Sequence, residues 1–66
     1  DYMSLHYIGM IYIKLKQYNL ALEYFNKTLK IKEDHNESIK LISEVNEILK
    51  LNKDLEDINI NLIKDK

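Results

Sequence analysis

The sequence predicts an all-α protein: an antiparallel helical hairpin followed by a long third helix. Three observations predict it. The 66 residues contain no proline and a single glycine, so strong chain breakers are nearly absent. Apolar residues recur mainly at three- and four-residue spacing, the period of a helix with a buried face. Polar residues gather into two short interruptions, at 16–17 and 32–36, that divide the chain into three rods.

The first helix is expected from about Tyr2 to Leu15. Leu5, Ile8 and Tyr12 define one apolar stripe, and Met3, Tyr7, Met10 and Ile13 much of another. A helix apolar on most sides is expected to be covered on most sides. Lys16 and Gln17 form the turn, and the second helix runs from about Tyr18 to Ile31, with Leu22, Phe25 and Leu29 on one face. Asp34, followed three residues later by Glu37, has the form of a capping box, in which each side chain satisfies a free backbone amide. A third helix is then expected to start near His35 and to reach Ile63 as one rod, the alternative being a break around Asn52 to Asp54 that makes two short helices. Two units follow: 1–35 as the hairpin, and 36–66 as a capping or dimerisation helix.

A chain of this length hides only about 60% of the surface its unfolded form exposes, so its stability alone is expected to be marginal. Cysteine is absent, which removes both disulfides and cysteine-based metal sites as staples. Association with other chains or repeats is the remaining staple. The first residue is Asp1 rather than methionine, and a piece of a longer protein is the expectation.

Charge narrows the range of partners. A formal net charge of −1 with interspersed signs provides no concentrated basic face for nucleic acid. Lysine is the only strong base, so the planar arginine fork that favours phosphate and guanine is missing. The apolar stretch from Tyr2 to Leu15, interrupted by Ser4, His6 and Lys14, falls short of the roughly 20 residues of a membrane span. No secretory pattern is visible, and a cytoplasmic setting is the expectation.

Residues 2–35 resemble one tetratricopeptide repeat, a 34-residue helix-turn-helix unit. Leu5, Ile8, Gly9 and Tyr12 stand at the spacing of the first half of the family pattern, and Ala21 and Phe25 at that of the second. Tyr18 is similar to the aromatic residue that often opens the family's second helix. The physics agrees with the pattern. Gly9 lies mid-helix, where it costs about 1 kcal/mol relative to alanine, so a neighbour is expected to approach too closely for a side chain. Ala21 is the small residue expected across that contact, with Tyr12 and Phe25 filling the space on either side of it.

The resemblance implies a protein-protein interaction module. In this family ligands lie along the face made by the first helix of each repeat, which implies a groove presenting Met3, His6, Met10, Ile13 and Lys14. Methionine is soft and adaptable, so an apolar or amphipathic protein segment is the expected ligand. The subfamily that clamps a terminal carboxylate has lysine and asparagine where His6 and Met10 stand, which argues against that ligand. The same face equally suits stacking against a neighbouring repeat.

In the third helix, Leu41, Val45, Ile48, Asn52, Leu55, Asn59 and Leu62 alternate four- and three-residue steps, the spacing of a coiled-coil seam. Asparagine at such a site can bond its twin across a dimer axis, so self-association into a homo-oligomer is expected. Ile42, Leu49, Leu51, Ile58 and Ile63 lie off the seam and widen the stripe, which suits packing on the hairpin as well. The alternative role is a passive end-cap of a longer solenoid.

Catalytic machinery is not visible. The sequence has no cysteine nucleophile, serine elbow, glycine-rich phosphate loop or cofactor fingerprint, and the expectation is a non-enzyme with no cofactor. His6 and His35 fall on different elements outside any metal spacing, and each is expected at the surface or partly packed. Glu33, Asp34, His35 and Glu37 lack the glycine and spacing of a calcium loop.

Overall fold

The computed structural model describes the backbone of residues 1–64 and side chains through Ile58. Three helices follow one another: α1 (Tyr2–Lys14), α2 (Tyr18–Ile31) and α3 (Asn36–Lys64). The third is one uninterrupted rod of 29 residues, about 43 Å at 1.5 Å per residue. It dominates the shape. The Cα radius of gyration is 15.0 Å, against about 11 Å for a compact chain of this length.

Local chemistry explains the ends of α1. The Asp1 carboxylate accepts a hydrogen bond from the Met3 amide at 3.2 Å, filling the N-cap role. At the other end Lys16 adopts a left-handed conformation with φ 60°. There the Gln17 amide donates to the Tyr12 carbonyl at 2.8 Å and the Lys16 amide to that of Ile13 at 2.9 Å. These two bonds form a Schellman closure, which usually recruits glycine to the position Lys16 holds.

The core lies where the three helices meet. Ala21, Phe25 and Val45 are buried, and Tyr12, Ile13, Tyr18, Leu22, Leu41, Ile42 and Leu49 pack around them. Ala21, Phe25 and Thr28 share one face of α2 and are all fully buried. The Thr28 hydroxyl donates to the Tyr24 carbonyl at 3.0 Å, so its polar atom enters the core with a partner.

Gly9 is buried, as the close approach requires, and the atoms nearest to its missing side chain belong to Phe25. A Cβ added at Gly9 would stand 2.6 Å from Cε1 of Phe25 and 2.9 Å from its Cδ1. The missing side chain makes room for an aromatic ring seated on the α1 backbone, a more specific device than two small residues facing each other.

Two other expectations need correction. α3 begins at Asn36, so Asp34 lies outside the first turn and the capping box does not form. The His35 carbonyl receives the Ser38 and Ile39 amides, and the Asp34 carboxylate instead meets Lys32 at 3.2 Å. That lysine's hydrogen bond and charge hold the Asp34 carboxyl below its ordinary range. α1, for its part, is not covered on most sides. Tyr7, Ile11 and Leu15 are each more than half exposed, because one following helix covers only one flank of α1.

Candidate protein-binding groove

α3 lies alongside the hairpin and, with α1, walls an open depression of about 310 Å³. α1 supplies His6, Tyr7 and Met10; α3 supplies Glu37, Lys40, Leu41 and Glu44. Tyr7, Met10 and Leu41 form an apolar strip, and the two acids and Lys40 lie along the α3 side. The surface thus sets apolar area beside a charged flank.

The structure brings together two of the five residues expected to face a ligand. His6 and Met10 line the depression, whereas Met3, Ile13 and Lys14 do not. Ile13 is turned into the core, where it packs on the buried cluster. Tyr7 was legible in the sequence, standing one helical turn before Met10. The α3 wall was not, because no local pattern states which helix face lies beside α1.

The seam in α3 also divides. Val45 is 1% exposed and so is not available to a second chain, while Leu41 is packed beside it on the hairpin with its remaining surface in the groove. The apolar surface of Val45 is already used within the molecule. Further along, Asn52 is exposed, and the exposed apolar residues are Leu51, Leu55 and Ile58, spaced four and three apart. Asn59 and Leu62 lie outside the described side chains.

Beneath the groove lies a polar contact that sequence reasoning missed. His6 is only 2% exposed, not a surface residue. Its Nδ1 lies 2.8 Å from the Oγ of Ser38, itself fully buried, and His35 Nδ1 lies 2.8 Å from the same oxygen. The two imidazoles meet edge to face with centroids 4.8 Å apart. Phe25 packs 5.4 Å from His6, and Tyr2 5.4 Å from His35.

Ser38 has one hydroxyl proton, so it donates to one ring and accepts from the other. Glu37 stands 3.8 Å from His6 Nε2, which favours the proton on that nitrogen and leaves His6 Nδ1 as acceptor. His35 Nδ1–H then donates to Ser38. Burial is the main cause that lowers the pKa of His6; the charge of His35 lowers it further, and Glu37 opposes both. The only sequence signal for this cluster is that Ser38 and His35 stand three apart at a helix start. Its link to His6, 32 residues away, is tertiary.

The sequence profile of the tetratricopeptide repeat matches residues 2–35, the whole hairpin and its flanking turn. The chain belongs to the tetratricopeptide repeat family. Comparison with curated proteins and with solved structures produces no match. Membership explains the packing just described. Gly9, Tyr12, Ala21 and Phe25 are the residues by which a tetratricopeptide hairpin closes, and α3 occupies the place of the helix that follows a repeat. Repeats of this family mediate protein-protein binding, and a role of that general kind follows for this chain. Among the described residues, no helix is long and apolar enough to cross a membrane, and no group of three metal-binding side chains converges.

Proposed function

We propose that this chain is a tetratricopeptide adaptor that self-associates through the distal half of α3 and receives an amphipathic protein segment in the groove between α1 and α3. The reading assigns it no catalysis. One observation carries it: Leu51, Leu55 and Ile58 stand 62%, 59% and 54% exposed on a helix whose packing against the core ends at Leu49. An isolated helix of this length is marginal in water, and a second copy of the same stripe offers the cover it lacks.

Sedimentation equilibrium over a wide concentration range tests this. The expected result is a mass rising from 7.9 kDa toward twice that value, with Leu55→Asp returning it to the monomer. A wild-type mass constant at 7.9 kDa rejects self-association. The groove is tested with a synthetic amphipathic helix carrying leucines at i, i+3, i+4 and i+7. Its addition is expected to shift the amide resonances of Tyr7, Met10 and Leu41, and Met10→Asp to abolish the shifts.

A second reading, an end-cap of a longer solenoid with no ligand of its own, is favoured by a different surface. Ile8, Ile11 and Leu15 share one face of α1 and are 36%, 56% and 61% exposed. That face suits a preceding repeat. A chain that stays monomeric and ignores the peptide supports this reading over the first.

A further inference from the structure

We propose that His6, Ser38 and His35 form a proton-counting latch that ties α3 to α1 with one added proton or none and opens when a second arrives. Proton bookkeeping at one oxygen gives the reason. With both rings neutral, His35 Nδ1–H donates to Ser38, and the Ser38 hydroxyl donates to His6 Nδ1. Protonating His35 adds a hydrogen at its outer nitrogen and leaves both bonds intact. Protonating His6 as well turns its Nδ1 into a donor, so Ser38 Oγ faces two N–H groups and its own hydrogen loses both ring acceptors. Two cations would then stand with centroids 4.8 Å apart, around a hydroxyl that is fully buried. Both the unpaired donor and the like charges are costly in such a place.

The groups that face the cluster come from each element packed against it. From α1, Tyr2 and Tyr7 present rings to His35 and His6. α2 contributes Phe25, which does not titrate. The connection before α3 holds Asp34, close enough to feel the charge of His35 yet occupied by Lys32. α3 adds Glu37, at 3.8 Å from His6 but 76% exposed, and Lys40 further along the groove. That solvated carboxylate favours charge on His6, but burial of the ring and the charge of His35 outweigh it.

The sign follows from burial. The docked state disfavours the charged form of His6, whose folded pKa lies below the ordinary 6.5. The undocked state therefore binds more protons below about pH 6.5, and docking weakens as pH falls through that value toward the folded pKa. One extra proton on opening corresponds to a fall of up to about tenfold in the docking constant per pH unit. α3 is one wall of the groove, so the binding surface comes apart with the latch. The inference rests on how α3 packs and not on any ligand, so it stands or falls separately from the reading of the groove.

The test uses the 66-residue chain alone, at a concentration where it is monomeric, followed by NMR from pH 8 to 4.5. Histidine ring protons report each protonation, and the ring-to-methyl NOE between Phe25 and Val45 reports docking. The expected result is that the NOE survives the first histidine protonation and is lost in step with the second. His35→Phe keeps an edge-packed ring but cannot become a second cation, and the pH slope of docking is expected to fall while the part that comes from burying His6 remains. Both rings charged with the wild-type NOE retained, or an unchanged slope in His35→Phe, overturns the proposal. Should that variant fail to fold, the wild-type NOE at the second protonation still decides.

Discussion

The two halves of α3 are one unbroken helix, built from the same isoleucine, leucine, asparagine and lysine repertoire, yet they live in different surroundings. In the first half Ser38 and Val45 are buried and Leu41, Ile42 and Leu49 press on the hairpin. In the second, Leu51, Leu55 and Ile58 stand in solvent. The difference teaches that helical periodicity states which residues share a face, while cover depends on how far the partner reaches. α1 and α2 have 13 and 14 residues, less than half the 29 of α3, so the hairpin runs out before α3 does.

Matched substitutions break that comparison most sharply. Val45→Asp places a carboxylate where nothing reaches solvent, and a cost of about 3 kcal/mol or more is expected. In a domain this small, thermal melting followed by circular dichroism should show the cooperative transition lost. Leu55→Asp, at a site 59% exposed, should leave the melting of the monomer within about 0.5 kcal/mol of wild type. Equal losses in the two variants would mean that the distal half is held as firmly as the proximal one.

A smaller effect sharpens the account of how the docked half is supported. Gly9→Ala gains about 1 kcal/mol of helix propensity but drives a methyl against the fully buried Phe25 ring, at an overpacking cost of about 1–3 kcal/mol. A net loss of about 1 kcal/mol is expected in chemical denaturation. The same change in a Phe25→Leu background should cost less, since the two residues share one space. Additivity would show that Gly9 answers to some other neighbour.

Smallest of all is the turn before α2, remote from both halves of α3. Lys16→Gly relieves the left-handed strain but loosens the unfolded chain, with a net stabilisation of about 1 kcal/mol or less. A denaturation midpoint that does not rise would indicate that Lys16 is held without strain.

Much of the fold was legible because its signals are local. The bounds of α1, α2 and α3 follow from interrupted apolar periodicity, and Gly9, Tyr12, Ala21 and Phe25 announce the hairpin by their spacing. The candidate site was legible only in part. Met10 and His6 were placed on the right flank of α1, whereas Ile13, one turn from Met10, points into the core. The α3 wall and the distal stripe depend on the angle at which α3 meets the hairpin. The expected seam is interrupted at Val45, which is buried within the molecule, because a heptad pattern does not distinguish a partner in another chain from one in the same chain. The capping box failed because Lys32 competes for Asp34 and α3 starts later.

The residues in order determined where each rod begins and ends, and that a glycine must admit something bulky at mid-helix. Those are short-range consequences of backbone sterics and spacing. Tertiary structure decided that the bulky thing is Phe25, that α3 is covered as far as Leu49 and bare from Leu51 to Ile58, and that two histidines on different elements share one serine hydroxyl. Each of these depends on contacts between groups far apart in the chain, whose geometry exists only once the rods have packed.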